Sequence, residues 1–247
     1  PLITGRPFRS VHHTITRSAL AGGGGIPLPG EISLAHGGVL FLDELAEFQG
    51  NVLETLRQPL EEGQIRITRS HGNYVFPANC ILVAAMNPCP CGNYPDLEKC
   101  TCTPAKVRQY LGRISQPLLD RIDICAETSR LPYRTLRETR KAESSAEIRR
   151  RILAARQIQK ERYQGDGART NAMQTARELE RYCPLESKEE ELLQKVFDRM
   201  QLTARTCHKI LKVARTIADL EGEEKIREGH LMEAIGYRTM DKKYWGR

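Results

Sequence analysis

The sequence predicts an α/β protein, a parallel sheet carrying hairpin insertions, followed by an all-helical part. Three observations carry this. Gly37-Gly38-Val39-Leu40-Phe41-Leu42-Asp43-Glu44 is an apolar run that ends in two carboxylates, and Cys80–Met86 is a second apolar run that ends in Asn87-Pro88. Such runs read as strands buried on both faces of a parallel sheet. From Ala172 onward the apolar residues instead recur at helical spacing, as in Leu192, Leu193, Val196, Phe197 and Met200.

Composition sets the outer bounds. The chain has 247 residues, enough for one large domain or two smaller ones. With 40% hydrophobic and 28% charged residues it reads as a soluble globular protein. No apolar run is long enough to span a membrane and no signal peptide opens the chain. The first residue is Pro1 rather than Met, as expected of a fragment or a processed product. The net charge of +7 suits anionic partners, nucleotide or nucleic acid. Residues 131–170 carry eleven Lys/Arg against five acids, among them Arg134, Arg137, Arg140 and Lys141. A solvated basic helix and linker is the simplest reading of that excess. Of eight cysteines, four crowd into Cys89–Cys102; Cys80, Cys125, Cys183 and Cys207 sit singly in apolar contexts, as reduced core thiols do. A cytoplasmic location fits.

In chain order, Gly22–Gly25 and Pro27-Leu28-Pro29-Gly30 punctuate a loop or hairpin insertion over residues 1–30. His12-His13 suit metal ligands or polar loop histidines, the latter preferred because adjacent residues on an extended chain point to opposite faces. Glu31–His36 suits a short helix capped by Gly37. After the first apolar strand, Asn51 is placed to N-cap a helix with Glu54 three residues on, and Val52, Leu53, Leu56 and Leu60 form its apolar face. Gln64–Thr68 and Asn73–Phe76 read as a hairpin around Ser70-His71-Gly72-Asn73. Pro104–Gly112 reads as a helix, and Arg121–Cys125 as a third sheet strand. Glu147–Tyr163 is a basic helix and Gln164–Thr170 a polar linker. Ser187 caps a helix with Glu190 at its third position, Thr203 starts another, and Gly229–Tyr237 is a last short one. This divides the chain into 1–131, 132–170 and 171–247.

Several of these positions suit chemistry. In an open α/β sheet, ligands bind at the carboxyl ends of strands. Asp43 there suits a Mg²⁺ ligand, and Glu44 a group that orients and polarises an attacking water. The structural alternative is a helix whose first turn favours acids. Asn87 suits a hydrogen bond to that water or to a γ-phosphate, or else caps the turn that Pro88 enforces. Cys89, Cys91, Cys100 and Cys102 form two close pairs that suit one tetrahedral, structural Zn²⁺, or remain free thiols. Arg66 and Arg69 on the hairpin suit phosphate contacts or simple solvation. Arg113 and Arg121 suit surface salt bridges or a phosphate on a neighbouring subunit. Arg205 opens a helix against its dipole.

These residues fall into a pattern that resembles the magnesium-chelatase-like AAA+ ATPases of the ComM/YifB type. The resemblance is carried by Arg6-Pro7-Phe8-Arg9, His12-His13-Thr14, Pro29–His36, Gly38–Glu44, Ala85–Gly92, Pro117–Asp123 and Ile210–Leu220. It implies a partial P-loop sheet with hairpin insertions and an all-helical lid. It makes Asp43 and Glu44 the Walker B pair, Asn87 sensor 1, Arg121 an arginine finger and Arg205 the sensor 2 arginine of the lid. Residues 6–30 match an insertion at the second helix. The hairpin around His71 matches the insertion before sensor 1, so Arg66 and Arg69 face DNA in the pore of a ring, a hexamer. ATP and Mg²⁺ are the implied cofactors, and the implied role is a DNA helicase or branch-migration motor in natural transformation. Two other readings are a magnesium-chelatase motor subunit and a non-catalytic zinc-stabilised binding module. The phosphate-cradling G-x-x-x-x-G-K-[ST] is not found in the sequence, and in this family it lies upstream of the matched region. The chain alone is therefore expected neither to bind ATP tightly nor to hydrolyse it.

Overall fold

The computed structural model describes residues 5–128, 133, 143–166 and 169–246. They form two compact units, one running to Ile122 and including Tyr244 and Trp245, the other running from Asp123 to Lys243. The domain boundary expected near residue 131, and the basic residues Arg134, Arg137, Arg140 and Lys141, lie outside the described residues.

The first unit is built on a three-stranded parallel sheet in the order β1 (Phe8–Val11), β4 (Val39–Leu42), β7 (Ile81–Ala84). Val11 pairs with Leu42, and Leu42 with Ala84, so the three strands end in line. Leu40 and Leu42 are almost fully buried. Burial of each contributes roughly 1.5–3 kcal/mol. Gly38 admits β4 to the sheet: a Cβ there would lie 1.9 Å from the Pro7 carbonyl oxygen.

Three expectations change here. Phe8–Val11, read as part of an insertion, is a sheet strand; its polar Arg9 and Ser10 hid it because it is an edge strand with Phe8 exposed. Arg121–Cys125, read as a strand, forms a turn and a segment outside the sheet, with Cys125 N–H donating to the Tyr237 carbonyl across 3.2 Å. A strand needs a ladder partner, and among the described residues this segment has none. The apolar runs are also not buried on both faces: β4 alternates, and Ile81 and Val83 of β7 are 61% and 43% exposed.

The insertions are compact. After β1, helix α1 (Arg17–Ala21) is N-capped by Thr16, whose side chain accepts from Ala19 N–H. A two-stranded ribbon follows, β2 (Gly22–Gly23) against β3 (Leu28–Pro29). Gly30 lets it close, since a Cβ there would meet the Gly22 nitrogen at 2.3 Å. Helix α2 (Glu31–Leu34) ends at Ala35, and Gly37, at φ 73°, turns the chain into β4 rather than capping the helix. Beyond β4, α3 (Gly50–Leu53) starts two residues earlier than expected, with Gln49 rather than Asn51 at its N-cap. Helix α4 (Arg57–Glu62) leads into the hairpin β5 (Gln64–Arg69) and β6 (Gly72–Pro77). After β7 come α5 (Pro104–Leu111), capped by Thr103, and α6 (Gln116–Leu119). Trp245 closes this unit by donating its indole N–H to the Leu111 carbonyl at 2.9 Å.

The second unit is helical: α7 (Ser145–Arg162), α8 (Ala176–Tyr182), α9 (Ser187–Met200), α10 (Ala204–Glu221) and α11 (Glu228–Trp245), the last belonging to it as far as Lys243. Ser187 is the first residue of α9, and Glu186 occupies its cap position. Helix α11 runs well past the Gly229–Tyr237 expected. Ile210, Ala214, Ile226, Leu231 and Ala234 form the unit's apolar centre. The basic helix is only half solvated. Its N-terminal turns are exposed, but Ala155 and Gln159 are buried and Arg162 pairs with Asp219. Asp219, itself buried, also accepts from Arg215, Asn171 and Gln159. No described helix is long and apolar enough to cross a membrane.

Candidate functional site

The aligned strand ends bring the candidate residues of the first unit to one edge of the sheet. His12-His13 follows β1, Asp43-Glu44 follows β4, and Ala85-Met86-Asn87 follows β7. The carboxyl end of β4 is held firmly: Ala85 N–H donates to the Leu42 carbonyl and Leu45 N–H to the Ala85 carbonyl, both at 2.9 Å. Glu44 has φ 53° and ψ 46°, a left-handed conformation costly for a residue with a Cβ. The chain thereby turns at Glu44, and its N–H donates to Asp43 Oδ1 at 2.9 Å. Both carboxylates remain exposed. Asp43 Oδ2 is available to a hydrated Mg²⁺, which takes one or two carboxylates and keeps several waters.

His13, taken from the sequence as an ordinary loop histidine, is the residue that sequence reasoning missed. Its Nδ1 lies 3.1 Å from Glu44 Oε2, and its ring sits edge-on to the buried Phe48 with centroids 6.4 Å apart. The His12 ring lies against it, centroids 4.1 Å apart. The signals in the sequence were its place in the His12-His13-Thr14 run of the family pattern and its position directly after a strand that itself went unrecognised.

The arginines are held differently. Arg121 is 11% exposed; it donates to the carbonyls of Arg57 and Pro117 at 3.1 and 2.6 Å and is paired with Glu61. Arg113 donates to the Ala46 carbonyl at 2.8 Å and to Glu47 at 2.7 Å, in the turn that follows Glu44. On the hairpin, Arg66 is 60% exposed with Glu62 at 3.7 Å. Arg69 donates to the Gly24 and Thr68 carbonyls at 3.2 and 3.1 Å, tying hairpin to glycine ribbon. In the second unit, Arg205 is exposed on the first turn of α10, behind the Thr203 cap.

The cysteine pairs come together: the Sγ atoms of Cys89, Cys91, Cys100 and Cys102 all lie within 4.8 Å of one another. A hydrogen bond from the Asn93 backbone pulls the Cys91 thiol down to about 5, whereas burial pushes Cys102 up. Of the expected site residues, Asp43, Glu44 and Asn87 share the sheet edge, and the cysteines lie just beyond it in the chain.

Two family models account for most of the sequence: magnesium chelatase subunit ChlI over residues 1–136, and the C-terminal part of the same subunit over 142–238. This chain belongs to the magnesium-chelatase-like AAA+ family of the ComM/YifB type. It is 49% identical over 236 residues to competence protein ComM of Haemophilus influenzae, covering 95% of this chain and 45% of that one. It is 44% identical over 238 residues to an uncharacterized protein, YifB, of Escherichia coli, covering 96% of this chain and 46% of that one. To the uncharacterized Rv2897c of Mycobacterium tuberculosis it is 40% identical over 239 residues, covering 96% of this chain and 47% of that one. The chain thus spans about half the length of the curated relatives it matches. The parallel sheet and helical second unit agree with a partial AAA+ fold and its helical lid.

Proposed function

We propose that this chain is part of an ATP-hydrolysing motor that assembles as a ring, a hexamer, in the cytoplasm and acts on DNA. The observation that supports it best is the Asp43-Glu44 pair at the carboxyl end of the central strand, with His13 on Glu44 and Asn87 on the neighbouring strand's extension. In this reading Asp43 holds Mg²⁺, which when bound neutralises charge on the transferred phosphate. Glu44 polarises the attacking water, and His13 Nδ1 fixes the carboxylate that does so. Asn87 orients the same water. Arg121 serves a neighbouring subunit's nucleotide once its Glu61 pairing is released, and Arg205 contributes from the lid. Arg66 and Arg69 place positive charge on the insertion that meets DNA. The name of the Haemophilus relative, a competence protein, supports natural transformation as the setting; branch migration there rests on the family resemblance.

The phosphate-cradling motif is not found within this sequence, so the test uses the full-length gene product. ATP turnover should rise with branched DNA, and Glu44→Gln should lower kcat about 10²–10⁴-fold while nucleotide binding survives. Turnover indifferent to DNA would remove the DNA motor and favour a chelatase-type motor subunit. Absence of turnover in the full-length protein would remove the ATPase. Steady turnover by the 247-residue chain alone would show that hydrolysis does not need the cradle.

A further inference from the structure

The sulfur cluster has dimensions that neither free thiols nor disulfides require. The Sγ separations are 3.4 Å for Cys89–Cys91, 3.8 Å for Cys89–Cys100 and 3.6 Å for Cys91–Cys100. A disulfide would need about 2.05 Å. Four sulfurs at the usual zinc–thiolate bond length form a tetrahedron with edges of about 3.8 Å. The cluster therefore already has the size of a tetrathiolate cage. Cys89 is fully buried, so this cage reaches into the unit's interior.

The surrounding loop is built to hold these sulfurs. Cys89 to Gly92 forms a tight turn, with Gly92 N–H donating to the Cys89 carbonyl at 2.9 Å and Gly92 at φ 75°. Tyr94 N–H points at Cys89 Sγ across 3.4 Å, and the Asn93 amide reaches Cys91 Sγ at 3.8 Å. The same amide donates to the Cys91 and Lys99 carbonyls at 3.2 and 3.3 Å, bridging the two arms of the loop. Cys100 N–H is held by the Asp96 carbonyl at 2.8 Å. Donors aimed at sulfur are the outer shell that thiolate–metal sites use to orient their ligands.

We propose that Cys89, Cys91, Cys100 and Cys102 bind one structural Zn²⁺ that clamps the Asn87–Pro88 turn to the start of α5. Four sulfur ligands leave no open position, so this zinc does no chemistry. Its effect is positional. Asn87 is two residues before the first ligand, and its carboxamide oxygen lies 3.7 Å from where a Gly92 Cβ would stand. Thr103, the N-cap of α5, directly follows the last ligand. One ion thus joins the end of the third sheet strand to the next helix.

The test reads metal and local motion on the 247-residue chain and needs no ATP turnover, so it stands apart from the ATPase reading. Protein purified without chelator should carry close to one zinc per chain by elemental analysis. The Cys91→Ser/Cys102→Ser variant should carry almost none. A cobalt-exchanged sample should show the spectrum of tetrahedral thiolate Co(II). On zinc removal, amide exchange across residues 87–103 should speed up at least about tenfold, with helix α9 unchanged as the internal control. A metal-free native protein whose four thiols react freely overturns the site. One equivalent of iron overturns the choice of zinc. Zinc loss without faster exchange at residues 87–103 overturns the clamp.

Discussion

At the scale of single residues, the contact between His13 and Glu44 is the most consequential. A carboxylate that polarises water must be aimed, and misplacement by an ångström costs catalysis heavily. In the full-length protein, His13→Ala should therefore lower kcat about 10- to 100-fold with little change in nucleotide affinity, read from steady-state turnover and equilibrium binding. An unaltered kcat would mean that His13 only packs on Phe48. A second residue-scale effect concerns Glu54, where the Ser115 hydroxyl and then Arg57 hold the carboxyl below its ordinary range. A depressed folded pKa stabilises the protein above the unfolded value, and that stability is lost as pH falls through the folded one. The Tm gap between wild type and Glu54→Gln should be present at pH 7 and shrink below about pH 4.3. A gap that persists in acid would assign it to packing instead. Sequence alone exposed Asp43, Glu44 and Asn87, because a polar residue that ends an apolar run is visible in one dimension. His13 was hidden because its meaning depends on strand register, which pairs Val11 with Leu42 from distant parts of the chain.

At the scale of elements, local chemistry and tertiary context differ in what they reveal. The hairpin and α10 were readable because turn residues and Thr203 mark them locally. Strand β1 was not, since an edge strand with one open face need not look apolar. Residues 121–125 look like a strand yet have no strand partner among the described residues, and pairing is not written in a segment's own composition. The basic helix α7 was read as solvated, although its last turns converge on a buried carboxylate. There Asp219 Oδ1 accepts from Arg162 at 2.5 Å and from Arg215 at 3.1 Å. Removing one member of a buried ionic network leaves the others uncompensated and costs roughly 3–5 kcal/mol. Asp219→Ala should lower stability by about that amount in denaturant unfolding. A loss below about 1 kcal/mol would place the network among weak surface pairs. The exposed pair Arg151–Glu143 is the natural control, expected to contribute well under about 1 kcal/mol.

At the scale of the whole molecule, the sheet's two outer strands face opposite risks. Strand β1 carries Arg9 in a bidentate pair with Glu31, whereas β7 offers Ile81 and Val83. An open apolar edge invites another strand. The isolated chain should self-associate at raised concentration, and Val83→Lys should reduce this in sedimentation measurements. Equal self-association of both proteins would locate the contact elsewhere. The bond from Arg69 to Gly24 has a mechanical consequence at this scale. The glycine ribbon is rooted, through α1, in the strand that delivers His13, and the hairpin is rooted in the strand that delivers Asn87. Cross-linked at Arg69, the two protrusions act as a yoke. A push on the hairpin tip is therefore shared, through that bond, with the insertion that follows the strand carrying His13.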